Sequence, residues 1–223
     1  MKNHLFVIVI VLTLSSCWPG FILFNTKKEA KEKSTVKYTG KGTNIEHRIN
    51  IYGFYTPDDG RALIPDNDSI FRHCIMFLND GTVIEFYLSQ NEKYKTEDDI
   101  KNNLYTYVFN RDIKISMKGI YKVDKGKINA NMFFLNQYYW CVLNRECKII
   151  DKEHLKVYDI IYNNQIITDK YVFYPVNENQ DHLEMQHVIR KLKKQKWLWE
   201  NESDWKKWKR KQKELWKNRR DKE

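Results

Sequence analysis

Between residues 47 and 176 apolar side chains return at every second position in short runs, and each run ends in turn-forming residues. Ile49 to Tyr55 alternates and stops at Pro57-Asp58-Asp59-Gly60. Ile70 to Leu78 and Thr82 to Leu88 flank Asn79-Asp80-Gly81, where an Asp-Gly pair accepts the positive φ of a two-residue turn, so a hairpin is predicted. Leu104 to Phe109 follows a polar insertion, Asn91 to Asn103, with room for one helical turn. Ile113 to Val123 and Lys127 to Phe134 flank Asp124-Lys125-Gly126, a second hairpin. Tyr138 to Leu143, Cys147 to Ile150, Leu155 to Ile161 and Ile166 to Tyr174 continue the series, separated by Asn144-Arg145, by Asp151 to His154 and by Asn163-Asn164. Eight or nine strands with short turns and no crossover helix form an antiparallel meander. Closure removes its edges, so the fold class is mainly β, an up-and-down barrel or curled sheet over residues 45–178.

The period changes after residue 178. Asp181-His182-Leu183-Glu184 is a helix-start signal, and Met185, Val188, Ile189, Leu192 and Trp199 then share one helical stripe. The stripe resumes in Trp205, Trp208, Leu215 and Trp216 about half a turn away, which predicts two helices broken near Asn201 to Ser203, or one long helix with two buried faces. Residues 179–223 are thus a basic, Trp-rich helical tail. Two roles fit it. Its indoles can pack on the barrel with lysine stems in water, or Trp205, Trp208 and Trp216 with Lys206, Lys209 and Arg210 can contact anionic lipid or a partner protein.

The chain opens differently again. A basic start, Lys2 and His4, precedes the apolar run Leu5 to Leu14, which has the length and layout of a secretory signal over residues 1–16. Leu14-Ser15-Ser16-Cys17 fits the lipobox of bacterial lipoproteins, with Cys17 as the acylated residue. The alternative is an uncleaved helix from Leu5 to Phe24, but Pro19 and Gly20 sit inside that window. Residues 17–44 then read as a lipidated N-terminus and a polar, Lys-rich tether with no apolar period. The expected location is the bacterial cell envelope, with a lipid anchor facing the periplasm.

Composition refines this picture. The tail from Leu183 onward holds 15 Lys or Arg against 7 Asp or Glu, so it carries most of the formal net charge of +10 and leaves the barrel nearly neutral. With Cys17 acylated, Cys74, Cys141 and Cys147 remain. Strands turning at Leu143-Asn144-Arg145 would set Cys141 opposite Cys147 in bonding range, while burial as small apolar thiols is the commoner fate. The six histidines include no i, i+4 pair, and no phosphate loop or nucleophile elbow occurs, so no metal, no cofactor and no enzymatic role are predicted. Lys and Trp are interleaved in the tail, yet no nucleic-acid recognition motif accompanies them.

The lipobox, Gly53-Phe54-Tyr55, the Phe77 to Val83 hairpin, Gly119-Ile120-Tyr121 followed by Asp124 to Ile128, and the closing Tyr171-Val172-Phe173-Tyr174-Pro175 together resemble the small lipocalin-like lipoproteins of Bacteroidetes. The resemblance covers Ile45 to Val176 and implies an envelope-attached β-barrel. Two features depart from it. Trp18-Pro19-Gly20 replaces the acidic residues of surface-displayed members, and the basic tail lies outside the family pattern. Two functions follow as expectations. A barrel could bind a small apolar or amphipathic ligand, lined by residues chosen by alternation: Tyr52, Phe77, Phe86, Tyr107, Tyr121, Phe133, Trp140 and Tyr158. Alternatively the barrel is filled by its own side chains, and the protein is a structural or interaction lipoprotein whose tail makes the contact.

Overall fold

The computed structural model describes residues 24–25, 27–58, 64–66, 69–89, 114–135, 140–161, 165–175 and 189–220. Beside a helical stretch at 189–193, ten strands and two α-helices are present among them: β1 (Phe24–Asn25), α1 (Lys27–Lys33), β2 (Gly53–Pro57), β3 (Ile64–Asp66), β4 (Ser69–Leu78), β5 (Thr82–Ser89), β6 (Lys114–Asp124), β7 (Lys127–Leu135), β8 (Trp140–Ile149), β9 (His154–Ile161), β10 (Gln165–Pro175) and α2 (Glu202–Arg220). Eight of the strands pair in the order β2-β4-β5-β6-β7-β8-β9-β10, every pair antiparallel, and β10 returns to β2. This is a closed, up-and-down, lipocalin-like barrel. The short strands β1 and β3 attach to β8 and β4.

Both expected hairpins form. The β6–β7 turn has Lys125 at φ 44° and Gly126 at φ 80°, so two consecutive left-handed residues make the tight connection. The β4–β5 turn has three residues, not two: Leu78 pairs with Thr82, and Gly81 (φ 88°) donates its N–H to the Leu78 carbonyl. The Asn144-Arg145 turn does not exist. Both residues lie within β8, which runs unbroken and presents Arg145 inward and Asn144 outward, because a polar pair inside a strand can be satisfied by its neighbours. Cys141 and Cys147 are therefore six residues apart on one strand, about 20 Å along it. That excludes a bond between them, and Cys147 is a buried thiol outside any disulfide. The expected strand Leu104 to Phe109 and the insertion at Asn91 lie outside the described residues.

Alternation sorts the side chains into two cores. One fills the barrel and includes Tyr55, Ile75, Phe77, Val83, Tyr121, Met132, Cys147, Leu155, Val157 and Tyr171. A segment ahead of β2 plugs one end: Ile45, in a 3-10 turn, together with Ile49 and Ile51, joins this interior. The alternation of Ile49 and Ile51 thus belongs to the plug, and the strand begins only at Gly53. The second core lies outside the wall. Phe54, Cys74, Met76, Leu78, Ile84, Phe86, Ile120 and Phe133 are covered there by Val36, Tyr38, Ile189, Leu192, Leu198 and Trp199.

The segment read as a free tether is part of this cover. Lys27–Lys33 is helical with Ala30 buried, and Val36 and Tyr38 are 1% and 5% exposed. Its few apolar side chains sit between charged ones without a helical or strand period, so their burial was invisible as a pattern. The tail packs as well. Residues 189–193 are helical, the chain then breaks through a 3-10 turn at Lys196–Leu198, and α2 starts at Glu202. The break is longer and earlier than Asn201 to Ser203, because Tyr38 donates to the Leu198 carbonyl (2.8 Å) and Glu200 donates to the Tyr38 carbonyl (2.9 Å), a pairing that needs extended backbone.

Candidate functional site

Among the described residues the buried interior of the barrel is apolar except at one place. Glu85 on β5, Arg145 on β8, His73 on β4 and Tyr171 on β10 point into it from four strands, and none is more than 7% exposed. Arg145 donates to one Glu85 oxygen. His73 Nε2 stands 3.3 Å from the other, and its Nδ1 stands 2.8 Å from the Tyr171 hydroxyl. Burial alone would raise the Glu85 carboxyl, but the Arg145 charge and the His73 contact outweigh it and hold it below the ordinary carboxylate range.

Each member reaches this place by strand parity. Glu85 follows Val83 by two, His73 precedes Ile75 and Phe77, Arg145 precedes Cys147, and Tyr171 precedes Phe173. Between the cluster and the plugged end lies a layer of aromatic rings. Phe77 makes edge contacts with Tyr55 (6.1 Å) and Tyr121 (5.4 Å), and Phe173 lies 5.3 Å from Tyr55. Their hydroxyls are satisfied at the end of the barrel. Tyr55 donates to the Lys152 carbonyl (2.7 Å) and Tyr121 to the Leu78 carbonyl (2.7 Å), and burial pushes both phenols above their ordinary range.

Of the residues selected as lining, Phe77 and Tyr121 face the interior. Phe86 and Phe133 point outward into the second core, where Phe86 meets Phe54 and Phe133 meets Trp197. A wall covered on both faces is apolar at every position, so hydrophobicity no longer distinguishes inside from outside there. Tyr158 shares the outward face of β9 with Lys156, whose ammonium lies 5.6 Å from its ring centre, and Tyr52 is 46% exposed ahead of β2. Trp140 begins β8, with its side chain outside the described residues, and Tyr107 lies outside them entirely.

The tail residues divide similarly. Trp205 and Trp208 pack on the outer core. Trp208 lies 5.8 Å from Trp199, and Trp205 donates to the Lys194 carbonyl, so these two indoles are turned toward the protein. Lys206, Lys209 and Arg210 are exposed on α2, and the Trp216 side chain is outside the described residues. The sequence reading missed all four members of the interior cluster. The available signal was Glu85, a charge at the position where alternation from Val83 demands an inward side chain.

Among the described residues no group of three or more His, Cys, Asp and Glu could hold a metal ion, and no helix is long and apolar enough to cross a membrane. Comparison of the chain with family models, with curated proteins and with solved structures finds no match.

Proposed function

We propose that this protein is a non-enzymatic, lipid-anchored component of the bacterial cell envelope, akin to the lipocalin-like lipoproteins, whose barrel binds a small amphipathic ligand. The observation that carries the reading is the Glu85-Arg145-His73-Tyr171 cluster, set among the apolar side chains that make up the rest of the described buried interior. A buried ion pair is seldom worth more to stability than apolar residues of the same volume. Polar groups converging in a concave apolar interior are, by contrast, what orients a ligand. The Ile45 plug closes one end, so the ligand enters from the opposite one, with its polar group toward Arg145 and His73 and its apolar part among aliphatic side chains. The anchor rests on the Leu14 to Cys17 motif.

A second reading is favoured by the packing next to the plug. The layer of Tyr55, Phe77 and Tyr121 is filled by the protein's own side chains, and a barrel filled throughout would make the protein a structural or interaction lipoprotein.

The test uses full-length protein purified from its host membranes. Mass spectrometry reads acylation at Cys17, and solvent extraction followed by mass spectrometry reads any co-purifying small molecule. Titration with the fluorescent fatty acid cis-parinaric acid is expected to saturate at one molecule per barrel, with Arg145→Met weakening it at least about tenfold. Absence of both saturation and an extractable molecule would replace the ligand reading with the filled barrel.

A further inference from the structure

Helix α2 is 19 residues long, about 28 Å, and Trp205 and Trp208 in its first turns pack on the outer core. Trp205, Trp208 and Gln212 form its half-buried side, and beyond them Lys213, Glu214 and Leu215 are exposed. At 100° per residue Lys206, Lys209, Arg210 and Lys213 fall within about a 100° arc, centred about 120° round the helix from the half-buried side. Glu202 pairs with Lys206, and Asp204 with Lys207. Lys209 lies over the Trp205 ring at 4.9 Å. Arg210, Lys211 and Lys213 have no ion-pair partner among the described residues.

We propose that this face of α2 docks on the anionic headgroups of a lipid bilayer. It is a row of exposed cations, of which Arg210 and Lys213 have no ion-pair partner among the described residues, on a helix held by its two indoles, so the complementary surface is broad and negative. Geometry favours a bilayer over other polyanions. The N-terminal segment and the tail pair with each other through Tyr38 and Leu198 on the same outer wall. Cys17 lies seven residue steps before Phe24, a span of at most about 25 Å. An acyl chain on Cys17 would keep α2 beside the membrane and raise the effective concentration of headgroups around it. That last step rests on the proposed anchor, whereas the charge argument does not.

Sedimentation of the full chain with vesicles of phosphatidylcholine alone, and with one-third phosphatidylglycerol, separates the two. Binding to neutral vesicles reads the anchor. The anionic-to-neutral ratio reads α2. The triple substitution Lys209→Gln, Arg210→Gln and Lys213→Gln is expected to lower that ratio about a hundredfold, roughly fivefold per charge, and 0.5 M salt should lower it in the parent protein. Removing three exposed cations from the barrel instead, by Lys122→Gln, Lys148→Gln and Lys152→Gln, should leave it within about twofold. An unchanged ratio in the α2 variant, equal loss in the barrel variant, or tighter binding to a mixed-sequence oligonucleotide than to anionic vesicles would each overturn the proposal.

Discussion

The ammonium of Lys193 meets the carboxylate of Asp80, so the tail is fastened by charge to the turn between β4 and β5. Asp80 also accepts from the Tyr38 hydroxyl (3.1 Å) and from Thr82, and Lys193 lies 5.5 Å from the centre of the Tyr38 ring. One carboxylate thus joins the N-terminal segment, a barrel turn and the tail. Replacing Lys193 with Met keeps its stem and removes its charge, leaving Asp80 buried with a deficit. The expected loss is about 2 kcal/mol, below the range for a fully buried pair because Asp80 keeps some exposure. Urea denaturation measures it. The partner change Asp80→Asn should couple to it in a double-mutant cycle, and additive effects would mean that the contact is incidental.

The interior pair should behave differently from its single variants. Glu85→Gln or Arg145→Met alone strands a charge in the barrel and is expected to destabilise by about 3–5 kcal/mol. The double variant leaves neither charge and should recover at least half of that loss. Equal destabilisation by single and double variants, read from denaturant midpoints, would show that the pair is not a unit.

Acid should unfold the protein through the same groups. Asp80 and Glu85 are both held below the ordinary carboxylate range: burial opposes this, but Lys193 and Arg145 prevail. A depressed carboxyl contributes stability that is full above the unfolded value, about pH 4, and is lost as pH falls through the lower folded value. Urea midpoints should therefore be flat in this respect at neutral pH and drop below about pH 4. The Glu85→Gln variant should show a shallower drop, and a parallel curve would remove Glu85 from the explanation.

The barrel was legible wherever turn chemistry and alternation agreed. Lys125-Gly126 and Asn79 to Gly81 mark their hairpins because left-handed backbone selects glycine. Asn144-Arg145 misled because turn-forming composition inside a strand looks the same as a real turn until its partners are known. Those partners are far away in sequence: Asn144 meets Asn131, and Arg145 meets Glu85. Alternation sets Phe86 and Phe133 inside the barrel, whereas both face the outer core, for a related reason. What covers them, Phe54 for one and Trp197 for the other, is supplied by distant segments, and alternation within a strand carries no record of that cover.

Two glycines should respond in different ways to alanine. At Gly119 a new Cβ would come 2.5 Å from the Met132 sulfur, 2.6 Å from the Asn131 carbonyl oxygen and 2.8 Å from Val83 Cγ1. Backbone stands among these neighbours, so little can yield, and about 3 kcal/mol is expected to be lost. At Gly126 nothing lies within 4 Å, but φ is +80°, so the loss is the left-handed penalty alone, about 1 kcal/mol. Thermal denaturation should rank Gly119→Ala well below Gly126→Ala, and the reverse order would place β6 and β7 farther apart than described.

Asn131 holds the N-terminal segment to the wall of the barrel. Its side-chain oxygen accepts from the Val36 N–H (2.6 Å) and the Ser34 hydroxyl (3.3 Å), while its amide donates to Asn144. Asn131 is 1% exposed, so Asn131→Ala leaves the Val36 N–H without its acceptor beneath a buried surface. The expected cost is about 1–3 kcal/mol. Because the remaining strand pairing is untouched, that cost falls on the local docking of residues 27–44 more than on the barrel. Trypsin should then cut at Lys33, Lys37 or Lys41 at least about fivefold faster in the variant under native conditions, with a barrel fragment surviving. Cleavage that accelerates equally at Lys122 and Lys148 would show that the segment and the barrel unfold together, and that this asparagine stabilises the whole fold.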